Sequence, residues 1–455
     1  MEPVGPLTEA ERRLEERALA PLRRTSRGYL LLAAVLVAVI AWGGYAYYRQ
    51  IQDGLYVTGM RDRISWGLYI ALFVFFVGAS MGGTFVSAIL RLTDASWRAP
   101  ITRGAEFVTV SALICAGFII TVNMSNVPRV MENVLRYARW ESQLVWDVYG
   151  LITYLTGSLV YLYVAMIPDL ARCRDALGGS ASFFRRHFFR ITAVSYRGDP
   201  VQVRSLGLAL LVMTLLIVPV AVMMHTVTSW IFGMMLREPW DNPMFGIYFV
   251  AGAVYSGVGL IAILMFVIRR AYGMEEYLTK RHFVNLGVLL AGFAGVMLFF
   301  QASEFITASY KMAGDTPFHL HQMVHGGLSW VFWTYIWAGL VLPIVIVLIP
   351  YTRTMIGVII ASILANIGMF LERFFIVVGG LRVPLNPYDP ATYWPTWVEW
   401  SLMAAVFALF ALMIMVMLKL VPGISISEVL EHGDVEAAGE DPATEPQPET
   451  AEVGA

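Results

Sequence analysis

A few ionisable side chains interrupt otherwise apolar stretches of this sequence, and these residues are the first candidates for chemistry. Asp147, His225 and Glu304 stand among apolar neighbours, and Glu372 and Arg373 are adjacent within a further apolar run. Carboxylates and imidazoles accept and release protons near neutral pH when burial shifts their pKa values. The pattern therefore predicts proton-coupled chemistry on a small apolar molecule.

The candidates belong to apolar runs that are long enough to cross a bilayer. Of the 455 residues, 58% are hydrophobic and 14% are charged, against about 25% charged residues in a typical soluble protein. We count ten runs of spanning length, which predict an all-α integral membrane protein with about ten transmembrane helices. The predicted spans are 28–48, 66–90, 104–124, 146–168, 205–228, 246–269, 283–309, 323–350, 355–379 and 395–420.

The distribution of Lys and Arg predicts the orientation of these spans. The two chain ends and the loops after even-numbered spans hold 22 Lys and Arg residues, whereas the loops after odd-numbered spans hold 9. Since cytoplasmic loops carry the excess of positive charge, both termini are predicted to be cytoplasmic, in a bacterial inner membrane. The polar candidates then fall mostly in the periplasmic half. The net charge of −1 provides no field that would attract nucleic acid.

Three short sequence matches recur in chain order at offsets of 176 to 182 residues, which predicts an internal repeat. An even number of spans separates the copies, so the repeat is parallel. We therefore predict two parallel-repeat four-helix bundles, helices 2–5 and 6–9, flanked by helices 1 and 10. The matched segments are 66–69 with 245–248, 106–108 with 282–284, and 167–168 with 349–350.

The repeat and the flanking composition divide the chain into six parts. The N-terminal part is amphipathic and is predicted to be a short cytoplasmic helix, and the C-terminal part is Glu-, Pro- and Ala-rich and is predicted to be a disordered acidic tail. The predicted parts are 1–27 (N-terminal segment), 28–65 (helix 1 and a periplasmic loop), 66–228 (first bundle), 229–379 (second bundle), 380–432 (helix 10 and a cytoplasmic end) and 433–455 (tail).

Further polar candidates lie near the ends of helix 3. Asn126 and Arg129 follow the outer end of helix 3, and Glu106 lies at the start of this helix, on the cytoplasmic side. Ionisable groups inside a span cost about 2.5–3.5 kcal/mol each on insertion scales, so each is a functional candidate. The structural alternatives stay open: Asp147 and Arg129 as interfacial charges, His225 as a satisfied interfacial histidine, and Arg373 as half of an ion pair.

A quinol suits such a cluster, because its two-electron oxidation releases two protons that need acceptors, and an Arg can orient a quinone carbonyl. The sequence offers little for a metal. The two cysteines, Cys115 and Cys173, are far apart and form no cluster motif. His319, His321 and His325 have no cysteine or carboxylate cluster beside them, so we expect no metal to be held by this chain.

Several motifs resemble the NrfD/PsrC family, the membrane subunits of polysulfide reductase and nitrite-reduction modules. The resemblance extends from helix 2 to Glu428. The chain is similar to the ten-helix branch of the family, which includes the large quinol-binding subunit of alternative complex III. Its most specific element is the string Asn366-Ile367-Gly368 followed by Leu371-Glu372-Arg373. The other motifs that carry it are 66–69, 144–147, 167–170, 248–253 and 395–397.

The resemblance implies a quinone-binding subunit (menaquinone or ubiquinone) that works only with partners, as part of a quinol:acceptor oxidoreductase of a respiratory chain. It implies an iron–sulfur, ferredoxin-like partner at the periplasmic face, together with other membrane and haem or molybdoenzyme-like subunits. The implied pocket lies near Asp147 and Arg373. Relatives often carry His-Leu-Gly-Arg after helix 3, where this chain has Asn126-Val127-Pro128-Arg129. Asp147 is then the expected proton acceptor, with His225 and Glu304, while Asn126 and Arg373 orient the headgroup.

Other functions remain open at this point. Proton translocation through Glu106 and Glu304 is one extension of the quinol hypothesis. A secondary transporter would also carry a repeat and buried carboxylates, although transporter repeats commonly break helices near the midplane. Within the family, the chain could instead anchor a molybdoenzyme or a hydrogenase and reduce quinone.

Overall fold

The computed structural model describes residues 9–431 except 24, 94, 96, 178–182, 238, 313 and 385–390. In that part the chain is helical, and ten helices are long and apolar enough to cross a membrane, which confirms the predicted all-α fold. They are α1 (Arg27–Asp53), α2 (Leu68–Leu92), α3 (Ala99–Asn123), α4 (Gln143–Leu177), α5 (Pro200–Gly233), α6 (Phe245–Tyr272), α7 (Lys280–Lys311), α8 (Ser329–Leu348), α9 (Met355–Arg382) and α10 (Trp397–Leu420).

Several helices extend beyond the predicted spans, because the prediction followed only apolar residues. Helix α4 has 35 residues, or about 52 Å at 1.5 Å per residue, against a hydrocarbon core of about 30 Å. Polar caps fix some of the starts. The Ser26 hydroxyl accepts a 3.1 Å hydrogen bond from the Tyr29 amide at α1, and Thr396 and Glu399 form a capping box at α10.

Five short helices lie outside the spans. The first matches the predicted N-terminal amphipathic helix, and the predicted tail 433–455 lies outside the described residues. Its apolar residues are buried against the ends of the spans. The five helices are Glu9–Arg23, Val127–Arg136, Phe183–Thr192, Thr316–Val324 and Ile426–Glu431.

The spanning helices form two four-membered rings. In the first, α2 contacts α3, α3 contacts α4, α4 contacts α5, and α5 returns to α2; helices α6 to α9 make the same set of contacts. Helices α2 and α6 join the rings, and α1 and α10 pack against each other and beside α3. This arrangement is what a parallel repeat would produce, while the repeat itself stays a prediction.

Glycines allow close helix packing at the junction of the rings. A Cβ added to Gly82 of α2 would lie 2.9 Å from the Ala253 carbonyl oxygen and from the Gly257 amide nitrogen of α6. Small residues at such crossings let backbones approach, which is the main source of helix association within a membrane.

The ring geometry gives the protein two distinct ends. We call the side that carries the loops after α1, α3, α5, α7 and α9 the odd-loop face, and the opposite side the terminal face. Helix α8 contains a π-helical turn in its middle, Tyr335–Val341, and α9 contains one near its odd-loop end, Phe375–Gly379. Such turns are frequent at functional sites because they release backbone groups from the regular ladder.

Candidate functional site

Asp147 is the fifth residue of α4, and its carboxylate is buried between α4 and α5. Only 6% of the residue is exposed, and Oδ1 accepts a 2.6 Å hydrogen bond from the Thr228 hydroxyl of α5. Within the described ranges, no Lys, Arg or His side chain forms an ion pair with this carboxylate. Asp147 is therefore a buried acid whose charge no cation balances.

His225 lies on α5 three residues before Thr228, so both side chains share one side of the helix. The histidine is 2% exposed, and its Nδ1 lies 3.0 Å from the Ala221 carbonyl oxygen. In the neutral ring, Nδ1 must carry the proton to make that bond. Nε2 is then a free acceptor, and it is buried without a hydrogen-bond partner.

Glu372 and Arg373 lie together on α9, where both are 2% exposed and form an ion pair with each other. The Arg373 guanidinium also lies over the Phe249 ring of α6, 4.7 Å from its centroid. A Cβ on Gly252 would lie 2.7 Å from Nη2 of Arg373. The ion-pair alternative for Arg373 is thus present, and Gly252 of α6 leaves the space that its guanidinium occupies.

A cavity of about 40 Å³ lies in the second ring at its odd-loop end. Glu304 of α7 and Glu372 of α9 both line it, and the Glu372 Oε1 atom has no hydrogen-bond partner. Tyr248 and Tyr335, whose hydroxyl oxygens are 3.1 Å apart, also line it. An apolar cavity that holds benzene measures about 150 Å³, so this one has room for water molecules and is too small for a quinone ring.

The loop between α5 and α6 covers this cavity. The Trp240 indole donates a 2.7 Å hydrogen bond to the Ile376 carbonyl, which lies in the π-helical turn of α9, and stacks on Trp66. Arg237 donates to the Val383 carbonyl at 2.8 Å beyond the end of α9. Backbone carbonyls at the helix end are thereby satisfied, which fixes the cover in place.

His319 of the short helix Thr316–Val324 forms part of the cavity wall, beside the Phe375 ring. Burial lowers its pKa from the ordinary value of 6.5 to about 4. The imidazole is therefore neutral at physiological pH in the folded protein. It can accept or donate a hydrogen bond in the cavity that Glu304 and Glu372 line, but it is not a cationic partner for these carboxylates.

Substitution of His319 by Phe is expected to flatten the pH dependence of stability. The unfolded chain binds a proton here below about pH 6.5 and the folded chain only below about pH 4. The free energy of unfolding should therefore rise by about 3 kcal/mol between those values in the unmodified protein. Thermal denaturation midpoints across this pH range measure the slope, with Met323→Leu of the same cavity wall as the control. Equal slopes in all three proteins would refute the argument.

The structure does not bring Asn126 and Arg129 into the buried cluster. Both are exposed at the odd-loop face. The Asn126 Oδ1 atom accepts a 3.2 Å hydrogen bond from the Arg129 amide, as an N-cap does at the start of a helix. The local role of Asn126 is therefore to begin the helix Val127–Arg136.

Glu106 lies at the opposite end of the molecule from Glu304. Its carboxylate is buried at the terminal face, 3.7 Å from Arg103 and 3.9 Å from Arg91. Arg103 in turn pairs with Asp169 of α4 at 2.9 Å. Glu106 thus belongs to a buried ion network, and a proton path from Glu106 to Glu304 stays a prediction.

The short helix Ile426–Glu431 closes this network. Asp169 Oδ1 accepts hydrogen bonds from the Ser427 amide at 3.0 Å and the Ser427 hydroxyl at 2.8 Å. Glu428 pairs with Arg91 at 2.6 Å. Burial raises the pKa of the Glu428 carboxyl, but Arg91, Arg98 and Arg103 together outweigh burial and hold that pKa below its usual value.

The described residues contain no group of three or more His, Cys, Asp or Glu side chains that could hold a metal ion. The His321 and His325 rings lie 5.8 Å apart without such a group around them. Both cysteines, Cys115 and Cys173, are buried as free thiols.

Several residues that connect one helix to another in the structure were not among the candidates predicted from the sequence. Tyr335 was not a candidate, and His319 was considered only as a metal ligand, whereas the structure places both in the cavity wall. Gln301, which also lines the cavity, stands three residues before Glu304, and that spacing was a usable signal for a shared helix face. Arg103, three residues before Glu106, carried the same signal.

The family profile described as "Polysulphide reductase, NrfD" matches residues 56–384, which include both rings. The chain belongs to the NrfD family. The family predicted from the motifs is thereby confirmed.

Three proteins with sequences similar to this chain are named as membrane subunits. A putative dimethyl sulfoxide reductase membrane subunit of Halobacterium salinarum is 29% identical over 369 residues, 79% of each chain. The Hdr-like menaquinol oxidoreductase integral membrane subunit of Archaeoglobus fulgidus is 25% identical over 366 residues, 78% of this chain and 80% of the relative. The menaquinone reductase integral membrane subunit of Nitratidesulfovibrio vulgaris is 21% identical over 384 residues, 79% and 83% of the two chains.

Proposed function

We propose that this NrfD-family chain is the quinone-interacting membrane subunit of a multisubunit respiratory oxidoreductase. The proposal rests on one arrangement. The buried Asp147 carboxylate of α4 accepts a hydrogen bond from the Thr228 hydroxyl of α5, and Thr228 lies on the same face of α5 as His225, whose Nε2 is unpaired. Buried acids and bases left without partners cost stability, and they persist mainly where a ligand or a reaction uses them.

These two groups supply what quinol oxidation requires of a protein. Quinol gives up two electrons and two protons when it becomes quinone. In our proposal the Asp147 carboxylate accepts one proton from a quinol hydroxyl, and Nε2 of His225 is available for the second. Thr228 holds the carboxylate in place through its 2.6 Å hydrogen bond. The electrons pass to a redox partner, since we assign no metal to this chain.

Arg373 is proposed to tune this region from the junction of the rings. Its guanidinium is fixed by Glu372, Phe249 and the space at Gly252, so its positive charge has a set position. A fixed cation stabilises negative charge that develops on a nearby oxygen at no cost of reorganisation. The second-ring cavity, with Glu304 and Glu372, is proposed to hold water and protons that leave the site rather than the quinone ring.

The redox partner is proposed to dock on the odd-loop face. Large apolar side chains there are strongly exposed, including Tyr56, Leu135, Leu236 and Tyr310. Exposed aromatic and aliphatic residues are typical of the core of protein interfaces. We propose an iron–sulfur, ferredoxin-like subunit as this partner, with the odd-loop face periplasmic and both termini cytoplasmic in a bacterial inner membrane. Asn126 and Arg129 lie on this exposed face and are then candidates for partner contacts.

The names of the relatives favour a quinone function over a secondary transporter. Two of the three relatives are named for menaquinol or menaquinone, so menaquinone is our first choice over ubiquinone. The resemblance to alternative complex III and the coupling to proton translocation remain proposals. The direction of electron flow is set by the partners' redox potentials, so quinone reduction on behalf of a molybdoenzyme or a hydrogenase uses the same site.

The test is to purify the intact complex from its native membrane and to identify its subunits and bound quinone. We expect menaquinone to co-purify and a short-chain menaquinol to reduce the redox centres of the partners. A complex without redox subunits, or one whose centres are reduced at the same rate without quinol, would contradict the proposal. Uptake of a solute by the chain alone in liposomes would support the transporter instead.

A further inference from the structure

The helix Phe183–Thr192 presents an apolar stripe that the other residues described by the structure do not cover. It connects α4 to α5 at the terminal face, and Phe183, Phe184 and Ile191 are 76%, 83% and 61% exposed. At 100° per residue these side chains fall on one side of the helix, together with Phe188. The stripe is therefore directed away from the protein.

The opposite side of this helix is firmly attached. Phe189 is buried, and the Tyr163 hydroxyl of α4 donates a 3.0 Å hydrogen bond to the Thr192 carbonyl. Arg185 donates to the carbonyls of Leu22 and Lys419, at the ends of the N-terminal helix and α10. The exposed stripe thus has a fixed direction relative to the spans.

Positive charge borders the stripe. Arg186 and Arg190 are exposed on one flank, and no ion pair involves either of them among the residues that the structure describes. Residues 169–204 as a whole contain seven Arg and three Asp. The helix therefore combines an apolar face with an unbalanced cationic edge, which is the composition of helices that lie in the membrane interface.

We propose that this helix is a binding site for anionic phospholipid in the leaflet at the terminal face. The apolar stripe enters the boundary between headgroups and acyl chains, and Arg186 and Arg190 bind the lipid phosphates, for which the guanidinium fork is well matched. Continuity with the bilayer favours lipid over a protein partner, because Val201 and Leu208 in the first turns of α5 are also exposed.

The first experiment measures lipid binding to the full-length purified protein by native mass spectrometry, with phosphatidylglycerol and phosphatidylcholine as probes. A surface arginine contributes on the order of fivefold to the binding of anionic lipid. The double variant Arg186→Gln, Arg190→Gln should therefore bind phosphatidylglycerol on the order of 25-fold more weakly, with phosphatidylcholine unaffected. Arg139→Gln is the matched control, because Arg139 is exposed at the odd-loop face and forms no ion pair among the described residues. Unchanged binding of phosphatidylglycerol to the double variant would overturn the proposal.

A second measurement locates the helix without removing its charges. Because both native cysteines are buried, Phe184→Cys can be spin-labelled selectively in nanodiscs that contain phosphatidylglycerol. We expect the label to be accessible to oxygen and shielded from a water-soluble nickel complex. A label that is open to the nickel complex in the isolated chain and shielded only in the assembled complex would overturn the lipid site in favour of a protein partner.

Discussion

Asp147→Asn is expected to lower quinol-dependent electron transfer by about a hundredfold or more, the usual contribution of a general base. Asparagine has nearly the same shape and can still accept the hydrogen bond from Thr228. It cannot take a proton from quinol. The fall should appear in kcat more than in KM, because the lost step is proton transfer rather than binding. Steady-state reduction of the partner's centres by menaquinol in the purified complex measures both parameters.

The control for this variant is Asp53→Asn. Asp53 lies at the same face of the protein, at the end of α1, but it is exposed and pairs with Arg49 at 2.8 Å. We expect full activity from this control, and we expect both variant complexes to retain their subunits and their quinone. If Asp147→Asn kept the rate of the unmodified complex, Asp147 would not be the acceptor, and His225 or the second-ring carboxylates would be tested next.

Asp169→Asn is expected to destabilise the protein by about 3–5 kcal/mol, as the loss of one partner of a buried ion pair usually does. The change leaves the Arg103 guanidinium, which is 1% exposed, without its 2.9 Å carboxylate partner. It also weakens the bonds that attach Ser427 and the helix Ile426–Glu431 to α4. Thermal denaturation in detergent should show a lower midpoint, and a protease should cut near Ser427 sooner.

The matched comparison is Glu132→Gln, which breaks the exposed pair between Arg136 and Glu132. Exposed pairs contribute about 0–1 kcal/mol, so this variant should denature like the unmodified protein. Replacing both buried partners, Arg103→Met with Asp169→Leu, should recover part of the lost stability, since the Arg103 charge is no longer left without Asp169 and Glu106 keeps Arg91 at 3.9 Å. If Asp169→Asn and Glu132→Gln had equal midpoints, the ion pair would not hold the terminal face together.

Asp169→Asn and Asp147→Asn are expected to have different effects because the two carboxylates have different surroundings. At the terminal face Asp169 is matched by a cation and by three hydrogen-bond donors of Ser425 and Ser427. At the odd-loop face Asp147 has a single hydroxyl. A compensated charge stabilises the fold, and an uncompensated one is available to a ligand. We therefore expect Asp169→Asn to act on stability and Asp147→Asn to act on rate.

The sequence by itself determined the number of spans and the positions of the acids within or beside them. Apolar length fixes the first, because a helix needs about 20 apolar residues to cross a bilayer and satisfies its own backbone hydrogen bonds there. The cost of a charge in a span singles out Asp147, Glu304 and Glu372 without any structure. The motif around Asn366 was sufficient for the family, which the profile match confirms.

The tertiary structure alone decided which polar groups meet. Asn126 was predicted to orient the quinone headgroup. In the structure its side chain caps a surface helix through a hydrogen bond from the Arg129 amide, three residues later in the chain. Glu304 and Glu372 share a cavity although 68 residues separate them, and Arg103 meets Asp169 across 66. Such contacts depend on helix rotation and on which helices are neighbours. Apolar periodicity does not encode either, because lipid-facing and buried positions of these spans are equally apolar.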